Sequence, residues 1–147
     1  MQRAQTRYTV LFVESEPADI ELARQAATAC RPEFDLHVVV DADAALDWLM
    51  IVPPALLPLI VVLDLKLPKL NGLAVLRTLR LNPATRELPV LVYSTEFTQA
   101  DVLMSYQVGA NSFVDKPIDE HQFTDFFTRQ LAYWLTSKHQ HLDCATS

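Results

Sequence analysis

Apolar and polar positions alternate in blocks along this chain, and the period changes from block to block. Five short runs of β-branched and aliphatic residues read as strands: Tyr8 to Val13, Leu36 to Val40, Leu59 to Leu63, Pro89 to Tyr93 and Ser112 to Val114. The third run, Leu59-Ile60-Val61-Val62-Leu63, has no polar interruption before Asp64, as expected of a strand buried on both faces of a parallel sheet. Helical spacing fills the gaps. Ile20, Ala23, Ala26 and Ala27 form a stripe behind Pro17, with Asp19 and Glu21 near the positive end of the helix and Arg31-Pro32 closing it. Asp41 or Asp43 caps a short helix through Leu46 and Leu49, and a proline-rich apolar connection runs from Ile51 to Pro58. After the turn Lys69-Leu70-Asn71-Gly72, the residues Leu73, Leu76 and Leu79 continue as a third helix to Asn82-Pro83. Thr98 and Asp101 make a capping box for a fourth, which Gly109 closes. A fifth runs from Asp119 to about Lys138, ahead of a polar tail.

Strands alternating with helices demand right-handed crossovers and a doubly wound sheet. The expected fold is therefore α/β, a flavodoxin-like five-stranded parallel sheet in the order 2-1-3-4-5 with helices on both faces. One domain is expected over residues 1–147, with an ordered core of about 8–138.

Composition narrows the function classes. Half of the residues are hydrophobic and a fifth are charged, an ordinary globular balance. A net charge of -6 with no basic block argues against nucleic-acid binding. Cys30 and Cys144 are isolated and support neither a disulfide framework nor a zinc site. The stretch Met1 to Arg7 lacks the apolar core of a signal peptide, and the uncharged run Trp48 to Leu63 is too short and proline-broken to span a bilayer. The cytoplasm is the expected address, with no membrane contact.

In the expected strand order, four carboxyl ends converge on one crevice. The first strand brings Glu14 and Glu16, the third Asp64, the fourth Ser94 and the fifth Lys116. Any one of these alone is an ordinary loop residue; all of them at one sheet edge form a constellation. Its chemistry is phosphoryl transfer onto a carboxylate, with Asp64 as nucleophile. Acidic oxygens would hold a divalent cation, Lys116 would supply a fixed ammonium, and Ser94 would donate to a phosphoryl oxygen.

With these residues in place the chain resembles the response-regulator receiver domains of two-component phosphorelays. Ser94 lies thirty residues after Asp64, and Lys116 twenty-two after Ser94, the separations that family uses. The resemblance implies that Asp64 is the phosphoacceptor, Ser94 the switch hydroxyl, Phe113 the rotating aromatic and Lys116-Pro117 a conserved pair joined by a cis bond. It implies Mg2+ held by Glu14, Asp64, the backbone carbonyl of Lys66 and Glu16. It also implies a sensor histidine kinase as partner. The long connection before the third strand and the ending Ala132-Tyr133-Trp134-Leu135-Thr136 are similar to stand-alone regulators of phytochrome-type kinases, which would make light the input. Such relatives dimerise through their fourth and fifth helices and the strand between. Phe126 and Tyr133, seven residues apart on one flank of the last helix, are the expected homodimer face.

One position departs from the pattern. Receivers usually carry two adjacent acids after the first strand, and here the second is Ser15, which should weaken Mg2+ binding. The competing expectation is a degenerate receiver that acts as an interaction module without phosphate. A metabolic enzyme is disfavoured: aspartyl-phosphate hydrolases need an acid where Lys66 stands, and a flavin mononucleotide binder needs a phosphate loop after the first strand. No DNA-binding output segment is expected, so the signal would leave through the surface of this domain.

Overall fold

Runs of apolar residues long enough to be buried on both sides occupy the middle of the sheet, and the shorter or mixed runs lie at its edges. The computed structural model describes residues 7–146, with side chains to residue 137. The strands are β1 (Tyr8–Val13), β2 (Phe34–Val39), β3 (Ile60–Asp64), β4 (Val90–Ser94) and β5 (Ser112–Asp115). All pair in parallel in the order β2-β1-β3-β4-β5, the expected doubly wound topology. The helices are α1 (Pro17–Ala29), α2 (Ala42–Ile51), α3 (Gly72–Leu81), α4 (Gln99–Val108) and α5 (Glu120–Thr146), with a single 3-10 turn at Pro54–Leu56.

The two-residue period of the strands sorts their side chains into two cores. Leu11, Val13, Val61, Leu63, Val90 and Val92 pack with Ala45, Leu49, Val75, Leu76 and Leu79 of α2 and α3. Val10, Phe12, Ile60, Val62, Leu91 and Tyr93 pack with Ala23 and Ala26 of α1 and Phe123, Phe127 and Leu131 of α5. Phe12 meets Tyr93, Phe123 and Phe127 edge-on, with ring centroids 5.9–6.2 Å apart.

Local signals act where expected. Asp41 caps α2 through the Ala44 N–H, Thr98 and Asp101 form a reciprocal capping box, and Gly109 ends α4 at φ 122°. Gly72 lets α3 start against the tip of β3, since a Cβ there would stand 2.4 Å from the Asp64 carbonyl oxygen.

Three expectations are corrected. The second strand begins at Phe34 rather than Leu36, because Phe34 pairs with Tyr8 and buries its ring on Phe127. α5 passes the expected end near Lys138 and runs to Thr146, for the sequence there offers no Pro or Gly to stop it. The cis bond lies at Arg31–Pro32, and Lys116–Pro117 is not cis. An X-Pro bond prefers trans by only about 0.5–1 kcal/mol, so the dipeptide alone does not choose its isomer. The stretch before Arg7 and the Cys144 thiol lie outside the described residues. Among the described residues no helix is long and apolar enough to cross a membrane.

Candidate functional site

The sheet register sets the site. Val13 pairs with Leu63 and Asp64 with Tyr93, so the ends of β1, β3 and β4 stand side by side, and the Lys116 N–H donates to the Ser94 carbonyl to draw the end of β5 alongside. An open cleft of about 420 Å³ lies over these ends, lined by Glu14, Ser15, Glu16, Asp19, Asp64, Lys66, Ser94, Thr95, Glu96 and Lys116. The sequence reading brought Glu14, Glu16, Asp64, Lys66, Ser94 and Lys116 to one edge, and the structure gathers all six there.

Glu14 is fully buried and fully engaged. One carboxylate oxygen accepts from the N–H groups of Ser15 (3.0 Å) and Glu16 (3.1 Å). The other accepts from the Tyr93 hydroxyl and from Lys116 Nζ at 3.0 Å. Burial opposes its charge, but the Tyr93 hydroxyl, Asp64, the Glu16 N–H and Lys116 outweigh burial and hold Glu14 below the usual carboxylate range. The same burial, with Glu14 beside it, pushes the Tyr93 phenol far up, so it stays a donor.

Lys116 Nζ sits among three carboxylates, 3.0 Å from Glu14, 3.0 Å from Asp19 and 3.4 Å from Asp64. Burial works against the ammonium, yet these acids overcome it and raise its pKa, so it is permanently charged. Asp64 is 5 % exposed. Its other oxygen accepts from the Lys66 N–H at 3.0 Å. Burial and the neighbouring Glu14 push its pKa to about 6, against the pull of the Lys66 N–H and Lys116. This carboxylate is short of positive charge. Ser94 Oγ is buried and donates to the Glu96 carbonyl at 3.1 Å, so the hydroxyl is engaged by its own loop.

The remaining residues are placed less centrally. Lys66 and Glu16 are exposed at the rim. Half-buried Phe113 packs edge-on against Phe97 at 4.7 Å, and its N–H donates to the Tyr106 hydroxyl. Phe126 leans on Phe127 and joins the core margin, whereas Tyr133 is 61 % exposed, so the pair expected to share one open face divides.

Two members of the site were missed. Asp19 was read only as a charge at the start of α1, and the structure pairs it with Lys116 in the cleft. Tyr93 was read only as a strand residue. Its parity with Leu91 put it on the α1/α5 face beside Glu14, and a buried phenol needs an acceptor for its tip.

The donor chemistry suits a hard divalent cation, because Asp64 and Glu16 supply carboxylate oxygens where negative charge is in excess. The present arrangement gives Glu14 to protein donors instead. Among the described residues no three His, Cys, Asp or Glu side chains converge on one point where an ion could sit.

Comparison with known proteins adds independent findings. The sequence model of the response regulator receiver domain matches residues 10–128. Response regulator Rcp1 of Synechocystis sp. strain PCC 6803 is 30 % identical over 110 residues, covering 73 % of this chain and 75 % of that protein. The crystal structure of the phosphorylated cyanobacterial phytochrome response regulator RcpA superposes with a TM-score of 0.79 at 27 % identity, over 90 % of this chain and 96 % of that one. The crystal structure of the Mn(2+)-bound form of Rcp1 gives a TM-score of 0.74 at 26 % identity, over 87 % of this chain and 94 % of that one.

Proposed function

Because the chain belongs to the response regulator receiver domain family of two-component systems, we propose that it accepts a phosphoryl group on Asp64 from the phosphohistidine of a sensor kinase. The observation that carries this reading is the meeting of Asp64, Lys116 and Ser94 at one cleft, with Asp64 raised to about 6 and still mostly ionised at neutral pH. An Asp64 oxygen attacks phosphorus in line, and the bond to the leaving imidazole nitrogen breaks. The Lys116 ammonium, already 3.4 Å from Asp64, stabilises the charge on the transferred oxygens. Ser94 exchanges the Glu96 carbonyl for a phosphoryl oxygen, which links the modification to the loop after β4. Asp64, Glu16, the Lys66 carbonyl and, once released from its protein donors, Glu14 are the groups that would hold Mg2+, whose positive charge would offset the negative charge of the transferred oxygens.

The protein is a phosphoacceptor and at most a slow hydrolase of its own acyl phosphate. The similarity to regulators described as phytochrome partners supports a phytochrome-type kinase as donor. A donor of that class carries its phosphohistidine in the cytoplasm, the compartment this reading assigns. Apolar side chains exposed on α4 (Leu103, Met104 and Tyr106) and between β5 and α5 (Ile118) support a homodimer through α4, β5 and α5.

Intact mass after incubation with acetyl phosphate and Mg2+ tests the reading. One phosphoryl adduct is expected on the wild type and none on Asp64→Asn. A wild type that gains no adduct with Mg2+ or Mn2+ would instead establish the second reading, an interaction module that works without phosphate. That alternative rests on a specific observation, the engagement of Glu14 by four protein donors beside the neutral Ser15.

A further inference from the structure

A carboxylate offers about four lone-pair sites, and Glu14 has all of them committed. The Ser15 and Glu16 N–H groups belong to the loop backbone, and Lys116 is shared with Asp19 and Asp64. The fourth donor, the Tyr93 hydroxyl, differs from these in having a single fixed position. Its ring is completely buried, meets Phe12 edge-on, and lies under Lys116 Nζ at 5.1 Å. The hydroxyl turns only about its own C–O bond, so it cannot follow Glu14 if that carboxylate moves toward the cleft.

We propose that Tyr93 is a positioning residue that competes with a divalent cation for Glu14, holding the carboxylate on its protein donors at the inner wall of the cleft. The inference rests on the reading that this cleft takes such a cation. Drawing Glu14 outward would strand the phenol without an acceptor in a dry core, a cost charged directly against cation affinity. Ser15 leaves the neighbouring position without a carboxylate, so Glu14 is the acid whose release would matter most. The weakness of the cation site would then have two separate sources, one in the loop and one two strands away in β4.

Calorimetric titration with Mn2+ tests this, using the full chain with no phosphoryl donor present. Tyr93→Phe keeps the ring and removes the hydroxyl, and should tighten binding by roughly 5- to 150-fold, the range that one stranded buried hydroxyl corresponds to. The gain should disappear when Glu14→Gln is added. Equal or weaker binding by Tyr93→Phe overturns the proposal, and so does a gain that survives Glu14→Gln. Asp64→Asn separates the two levels: uptake that is Asp64-dependent yet identical in wild type and Tyr93→Phe removes only the role of Tyr93. Uptake indifferent to Asp64→Asn in both removes the cation reading as well. A second measurement needs no variant. Saturating wild type with Mg2+ should shift the near-ultraviolet tyrosine band as the phenol loses its carboxylate partner, and an unmoved band during Asp64-dependent uptake refutes the competition.

Discussion

Ionising Asp64 sets a negative charge beside Glu14 where water reaches neither freely. The folded chain therefore keeps the Asp64 proton up to about pH 6, whereas the unfolded chain releases it near the ordinary value of 3.8. Between those values the native state binds more protons, so this residue's contribution to stability falls as pH rises, and stays lowered above the folded pKa. The full difference is at most about 3 kcal/mol. In EDTA at pH 8, Asp64→Asn should melt above the wild type, by up to roughly 10 °C. The advantage should shrink steadily as the pH is lowered from 6 to 4. Thermal melts across that range, followed by circular dichroism, check both sign and window. At this scale the sequence was legible where chemistry depends on residue type at a strand end: Asp64, Ser94 and Lys116 stand where their separations put them. Asp19 and Tyr93 escaped because their roles arise from contacts across elements. A phenol on one strand finding an acid two strands away leaves no local trace.

Among the elements, the join between β3 and α3 governs the site most directly. Gly72 donates to the Leu65 carbonyl at 2.8 Å, and a Cβ there would meet the Asp64 and Leu65 backbone, so no flexible side chain could give way to it. Gly72→Ala should lose about 2–4 kcal/mol of stability in urea denaturation. It should also slow phosphoryl uptake, because relief of the clash displaces the backbone that orients Asp64. The helix and strand bodies were readable because period and caps agree at each: Asp41, Thr98 with Asp101, and Gly109 all act as their types suggest. Element ends were less readable. Phe34 joins β2 through a partner strand and a distant ring, and α5 continues because nothing opposes it. The flank of α5 was misjudged for a related reason. Helical spacing places Phe126 and Tyr133 together, but the curve of the core reaches only the first.

At the scale of the whole molecule, the strand order followed from alternation, whereas the distribution of exposed apolar side chains did not. Exposed Leu103, Met104, Tyr106 and Ile118 extend the apolar surface beyond the single open aromatic of α5, Tyr133. Sedimentation at tens of micromolar (roughly where modest interfaces saturate) should show a dimer, and Tyr106→Glu should shift it toward monomer. A clean wild-type monomer under those conditions would leave the apolar face to other partners.

The cluster around Lys116 has a kinetic consequence of its own. Glu14, Asp19 and Asp64 contribute three negative charges against one positive, so this cluster carries -2 within a chain of net charge -6. Small phosphoryl donors are anions too, and so before a divalent cation binds they approach uphill. Inert salt, which usually slows the encounter of charged partners, here screens a repulsion and hastens it. A protein donor would escape that barrier by bringing a basic rim to the cleft, which would make charge itself a filter on the proposed phosphoryl donors.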